Sequence, residues 1–150
     1  MTRRMALTVA AGAAVLVGAG AYALAYAGEQ PPALTHATAR YTAPAAGHDG
    51  SLTFTAYVTT SSGVDDVKVL AWPQNSSLAE HEPSAQEMAE AEPAVCKPYK
   101  KHTAICTYGV RTTASDAASS PRGVWHVAVL ATAQNGTRTL DTRAADFLVK

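Results

Sequence analysis

The two cysteines are the residues whose type and spacing indicate the clearest chemistry. Cys96 and Cys106 are the only cysteines of the chain, and nine residues separate them. That interval fits neither a C-x-x-C redox motif nor a standard zinc motif. In an oxidising compartment a single pair of cysteines forms a disulfide. We therefore predict a Cys96–Cys106 disulfide that joins two neighbouring strands.

The segment between the cysteines is a candidate recognition surface. It carries the basic or titratable side chains of Lys97, Lys100, Lys101 and His102. Just before it, five glutamates stand close together in the chain: Glu80, Glu82, Glu87, Glu90 and Glu92. This contrast of charge predicts either a recognition surface or a weak cation site. Two solvated faces of opposite sign are the simpler interpretation.

The remaining polar residues form no catalytic motif. The five histidines are scattered, and His81-Glu82 lacks the second histidine of a zinc-protease helix. No serine stands in a Gly-x-Ser-x-Gly elbow. His126 is interpreted as a histidine hydrogen-bonded at the edge of the core. The sequence thus predicts no catalytic residue, no metal site and no cofactor, with a hydrolase whose carboxylates meet only on folding as an alternative.

Two further patterns leave alternatives open. Trp72, Trp125, Tyr57 and Tyr108 stand on alternating strand patterns and are either core residues or an aromatic platform for sugars. Asp65-Asp66 follows a glycine and belongs either to a turn or to a calcium loop.

The N-terminal segment predicts export. Arg3 and Arg4 precede an uncharged run over residues 5–27, and Ala25 and Ala27 form a small-residue cleavage site. We predict that residues 1–27 are a signal peptide, with an uncleaved anchor as the alternative because about 20 apolar residues cross a bilayer. The paired arginines leave open whether the general secretory or the twin-arginine route is used. The protein is then secreted or held at the cell envelope, and it meets the membrane only through residues 5–27, if these are retained.

Composition limits what the exported part is. The chain has 12 basic and 12 acidic residues, and loss of the two N-terminal arginines leaves a small negative charge. This is the opposite of a nucleic-acid-binding composition. Residues 28–33 are predicted as a flexible lead and residues 34–150 as a single domain of the commonest size.

The elements that must position these residues are predicted to be mainly strands. Period-two alternation predicts strands over residues 34–42, 52–59, 64–72 and 123–133, around each cysteine, from residue 137, and over 145–149. A capping box of Ser84 and Glu87 predicts a short helix over 85–91, with Ala85, Met88 and Ala89 inward. Asn135-Gly136 predicts a two-residue hairpin turn.

Together these elements predict an all-β fold. About seven strands separated by turns favour an antiparallel immunoglobulin-like sandwich with one short helix, preceded by the signal segment. A barrel is the main alternative, because it shows the same alternation.

Several motifs resemble a known family. They are the Val-Leu-Ala-Trp-Pro sequence at 69–73, the acidic stretch around Met88, the two cysteines, and the segments 121–129 and 144–149. With them, residues 67–150 resemble a family of small exported actinobacterial proteins of Streptomyces type, described only as a domain of unknown function. The resemblance implies export and a β-rich fold, and it transfers no catalytic residue.

These observations predict a non-enzymatic exported β-sandwich protein. Its role would be binding or structural, at the cell envelope or in the medium, with an extracellular or envelope partner that the sequence does not identify. The alternative is a secreted inhibitor of an extracellular protease that uses the disulfide-closed loop 97–105, since a rigid loop loses little entropy on binding.

Overall fold

The computed structural model describes residues 21–24 and 30–150. Ala25, Ala27 and the other residues of the predicted signal segment, apart from 21–24, lie outside the described residues. The strands and helices are, in chain order, β1 (Ala21–Leu24), β2 (Ala33–Thr42), β3 (Gly50–Thr59), β4 (Val64–Pro73), a 3₁₀ turn (Ser77–Ala79), α1 (Ala85–Met88), β5 (Glu92–Pro93), β6 (Val95–Lys100), β7 (Thr103–Thr112), α2 (Ala114–Ser119), β8 (Gly123–Ala133) and β9 (Arg138–Val149).

The strands form two antiparallel sheets. One has the order β2-β3-β7-β6 and the other the order β1-β9-β8-β4-β5. The seven long strands therefore follow the ABED and CFG arrangement of an immunoglobulin constant-type sandwich. This confirms the prediction of an all-β antiparallel sandwich and decides against the barrel, because the sheets do not close on each other.

The main core lies between the sheets. Phe54, Ala56 and Val58 alternate along β3 and are fully buried, as their spacing predicted. They face Val127 and Val129 of β8 within one cluster of buried side chains. Each full burial of a Val, Leu or Phe side chain contributes about 1.5–3 kcal/mol, so this alternation decides which face of each strand turns inward.

A second core covers the outer face of the β9-β8-β4 sheet. Trp72 and Met88 are buried there with Leu130 and Leu140, under the segment that connects β4 to β5. Both faces of β8 are therefore covered, which explains why this strand is apolar on both sides.

The helix of this connection is shorter than its sequence pattern predicted. The Ser84 and Glu87 capping box is present in both directions. However, α1 ends at Met88, and Ala89 is exposed rather than inward. The helix ends early because the chain must extend after it for Glu92 of β5 to pair with Val69 of β4.

The two hairpin turns also differ from expectation. β6 extends to Lys100 and β7 begins at Thr103, so most of the predicted loop 97–105 belongs to the strand ladder. In the other hairpin only Gly136 has a positive φ, 87°, and its N–H donates to the Ala133 carbonyl. A β-turn followed by a left-handed glycine thus replaces the predicted two-residue turn, which needs positive φ at both positions.

The C-terminal strand is continuous, where the sequence pattern predicted two pieces. β9 runs through a bulge at 142–144, opposite Ala128 of β8. Residues 138–141 also pair with β1, which lies inside the predicted signal peptide. At the start of the domain, the Pro32 carbonyl accepts a hydrogen bond from the Thr139 hydroxyl. The boundaries of the signal peptide, lead and domain stay predictions. No helix among the described residues is long and apolar enough to span a membrane.

Candidate binding cleft

A cleft of about 560 Å³ opens between the two sheets at one end of the sandwich. Side chains of β2, β3 and β7 form one wall, and those of β4, β8 and β9 form the other. Residues 90–92, at the start of β5 and just before it, border one side of the cleft, and the helix α2 borders another. The lining is mainly apolar, and its side chains include Tyr41, Leu52, Val69, Tyr108, Val110, Trp125 and Phe147.

Sheet register explains why these residues meet. Tyr41 pairs with Leu52, and Leu52 with Val110, so the three form one row across β2, β3 and β7. Trp125 and Phe147 are paired across β8 and β9 and form the facing row. Each member points inward because alternate residues of a strand share a face. The cleft is therefore built from rows that only the assembled sheets bring together.

Three aromatic rings form a stack along the cleft. The centroids of Tyr41 and Phe147 lie 5.8 Å apart with an interplanar angle of 30°. Those of Phe147 and Trp125 lie 5.9 Å apart at 27°. The Trp125 indole N–H donates to the Pro121 carbonyl at 2.9 Å, which fixes the orientation of this ring. The stack is thus a rigid apolar wall with one polar group already satisfied.

The charged groups of the cleft are mainly acidic. The Tyr108 hydroxyl donates to the Glu92 carboxylate at 2.7 Å, and burial, with that carboxylate nearby, raises the pKa of Tyr108. Asp116 is the third residue of α2 and belongs to its capping box, and hydrogen bonds from Thr113 hold the pKa of Asp116 below its usual value. Arg111 is bound to the carboxylate of Asp49. The tyrosine is therefore a hydrogen-bond donor at neutral pH, and Asp116 is a negative charge.

A second polar cluster lies at the bulge of β9, away from the cleft. The Glu82 carboxylate accepts from the Thr142 hydroxyl and from Arg143 Nε, both at 2.7 Å. Asp141 is fully buried, and one of its oxygens has no hydrogen-bond partner. The pKa of Asp141 is raised to about 6, mainly by burial and also by the nearby charges of Glu82 and Asp146, against the effect of a hydrogen bond from the Arg143 N–H.

His126 lies beside this cluster, and its interpretation as a histidine at the edge of the core is confirmed. Its Nδ1 is 2.5 Å from a carboxylate oxygen of Asp146. Its ring packs on Trp72, with centroids 4.7 Å apart. Nε2 is buried and has no hydrogen-bond partner in the described structure. The pair resembles half of a catalytic triad, but the nitrogen that would face a substrate is enclosed by the fold.

The disulfide is present, and it borders the candidate recognition surface. Cys96 and Cys106 are directly opposed on β6 and β7 and are bonded to each other. Lys100 and His102 line a shallow concavity beside β6, whereas Lys97 and Lys101 are exposed and do not line it. None of the four forms an ion pair with a glutamate within the described ranges. Their roles in recognition and in protease inhibition stay predictions.

The predicted aromatic platform does not form as one surface. Trp72 is buried in the second core, and Tyr57 packs edge-to-face against His36 and Tyr99 on the outer face of the other sheet. Trp125 and Tyr108 do share the cleft. Nowhere in 30–150 do three His, Cys, Asp or Glu side chains converge as metal ligands would.

Sequence reasoning missed two members of the aromatic stack as site residues. Phe147 and Tyr41 both lie in predicted strands, but neither is assigned to a site in the sequence analysis. Alternation along β2 and β9 gives the inward direction of both. The identity of their neighbours depends on the register of four other strands, for which no local signal exists.

Comparison with known proteins gives one match. Residues 34–131 match the Family of unknown function (DUF5707). The predicted resemblance to a family of unknown function is confirmed. The matched range, 34–131, begins and ends earlier than the predicted range, 67–150. Neither a curated protein nor a solved structure matches the chain.

Proposed function

We propose that this chain, which belongs to the Family of unknown function (DUF5707), is an exported, non-enzymatic binding module that holds a small apolar molecule between its sheets. The observation that carries the proposal is the cleft lined by the stacked rings of Tyr41, Phe147 and Trp125. Export is supported by the pattern of residues 1–27 and by the disulfide, which suits an oxidising compartment.

The size and lining of the cleft support ligand binding. Small-molecule sites are commonly concave, about 300–1,000 Å³ in volume, and mostly apolar with a few placed polar groups. The cleft has about 560 Å³, an aromatic wall, and a carboxylate held by Tyr108. Its walls are strands of two packed sheets, so a ligand meets a site that is already formed and loses little free energy to ordering.

A blocked-cleft experiment tests the proposal. Val110 lines the cleft and is 39% exposed, and Val95 is 64% exposed on β6 and does not line it. The Val110→Arg and Val95→Arg variants therefore add the same side chain inside and outside the cleft. The probe is the neutral apolar dye N-phenyl-1-naphthylamine, whose emission rises in an apolar site. The purified oxidised protein is titrated with dye, and the dissociation constant is measured.

We expect saturable binding of one dye per chain. Val110→Arg should weaken it at least about tenfold, the loss of about 1.4 kcal/mol of apolar contact, and Val95→Arg should leave it unchanged. Circular dichroism of both variants serves as the folding control. A protein that never saturates with dye, or an equal loss in the two variants, would refute the cleft as the binding site.

A further inference from the structure

We infer that the ligand of this cleft is an organic cation, an ammonium group carried on an aromatic or alkyl body. The inference rests on the proposed function and adds the chemical class of the ligand. Two independent features of the cleft carry it: the aromatic stack, and an excess of carboxylates without compensating cations.

The aromatic stack attracts cations through the faces of its rings. The π-electrons make each face negative, and a cation within about 6 Å of a ring centroid is attracted to it, most strongly by tryptophan. Trp125 and Tyr41 lie at the two ends of the stack, with Phe147 between them. A neutral apolar ligand gains contact area from the same rings but not this electrostatic attraction.

The charges that line the cleft have the complementary sign. Its ionisable side chains, tyrosines aside, are those of Glu90, Glu92, Asp116 and Arg111. Arg111 is the only cation among them, and Asp49 already compensates its charge. Within residues 30–150 no ion pair involves the two glutamates or Asp116. The cleft therefore offers three negative charges and no free positive one.

Glu92 is the best-positioned of these carboxylates. Its backbone pairs with Val69 of β4, and its side chain accepts a hydrogen bond from the Tyr108 hydroxyl at 2.7 Å. Backbone and side chain are thus both held, and the carboxylate is oriented before a ligand arrives.

A series of three probes separates charge from shape. Phenethylammonium, 2-phenylethanol and phenylacetate share one aromatic body and differ in charge. Binding is followed in the ¹⁵N-labelled oxidised protein through the indole N–H signals of its two tryptophans. Trp125 lies in the cleft, whereas the indole N–H of Trp72 donates to the Thr142 carbonyl in the second core, so Trp72 is an internal control. Trp125→Phe assigns the two signals.

We expect the Trp125 signal to move with all three probes and the Trp72 signal to stay. Phenethylammonium should bind at least about tenfold more tightly than 2-phenylethanol, and phenylacetate should bind most weakly. Glu92→Gln keeps an acceptor for Tyr108 and should reduce the preference for the cation at least about threefold. Glu80→Gln, in the same acidic segment but outside the cleft, should not.

The outcomes distinguish this inference from the proposed function. If 2-phenylethanol and phenethylammonium move the Trp125 signal with equal dissociation constants, the ligand class is wrong while the binding cleft stands. The same holds if Glu92→Gln leaves the preference intact. If no probe moves the Trp125 signal, the inference and the binding cleft fail together.

Discussion

Replacing Asp141 with asparagine should remove most of the fall in stability that we expect for the protein between pH 4 and pH 7. The side chain is fully buried on β9. One oxygen accepts from the Arg143 N–H at 3.0 Å, and the other has no partner. Burial raises the pKa of Asp141 from 3.8 to about 6. Between these two pH values, the carboxyl of Asp141 therefore keeps its proton in the folded state, whereas the unfolded chain has already released it.

The sign of the effect follows from this difference. Between pH 4 and pH 6 the folded state binds more protons than the unfolded state, so the free energy of unfolding falls as the pH rises. The contribution of the protonated carboxyl is fully present below pH 4 and is lost as the pH rises through about 6. A tenfold difference in proton affinity corresponds to about 1.4 kcal/mol. The rise of the pKa from 3.8 to about 6 is a little more than two such factors, so the free energy of unfolding should be lower by about 3 kcal/mol at pH 7.

Asparagine is the suitable replacement because it has the shape of the protonated carboxyl and keeps an acceptor for the Arg143 N–H. The measurement is urea unfolding, followed by tryptophan fluorescence, at several pH values from 4 to 8. The advantage of Asp141→Asn over wild type should grow by about 3 kcal/mol from pH 4 to pH 7. Asp65→Asn, at an exposed position, is the control. Parallel pH profiles of wild type and Asp141→Asn would refute the reasoning.

Three further predictions concern the second core, the disulfide and export. Met88→Ala should lower the free energy of unfolding by about 2–5 kcal/mol, because Met88 is fully buried against the outer face of the sheet. Equal urea midpoints for Met88→Ala and for the exposed control Gln86→Ala would contradict this prediction. Replacing both Cys96 and Cys106 with serine should lower the free energy of unfolding, measured with urea, by about 3 kcal/mol, because the disulfide closes a loop of sequence separation 10 in the unfolded chain. An unchanged urea midpoint would show that the hairpin is already ordered in the unfolded chain. Intact mass of the protein from culture medium should fit a chain that begins at Gly28 and is two hydrogens lighter than its reduced form; a full-length mass found only in membranes would mean that the N-terminal segment is retained.

The sequence predicted those features whose signal is local. The alternation along β3 identified its buried face, because each residue of a strand points opposite to its neighbours. The Ser84 and Glu87 capping box marked the start of α1, since both of its hydrogen bonds close within four residues. The disulfide followed from the absence of any other cysteine.

Features set by distant pairing were not predictable in this way. The end of α1 is set by the pairing of Glu92 with β4, and the bulge of β9 is set by its register against β8. The cleft is the extreme case, because Tyr41 and Phe147 come from opposite ends of the domain. Period-two alternation gives the direction of each side chain, but the facing row belongs to another sheet, and its register has no signature in either strand.

The position of the disulfide leaves the separation of the two sheets to their side chains. In antibody domains the conserved bridge joins the two sheets across the core. Here Cys96 and Cys106 lie on β6 and β7 of one sheet, so no covalent bond fixes the distance between the sheets. That distance is set by side chains, and at the cleft end the facing rows carry the large rings of Trp125, Phe147 and Tyr41. The bridge stabilises one hairpin, and the aromatic stack joins side chains of both sheets at the proposed binding cleft.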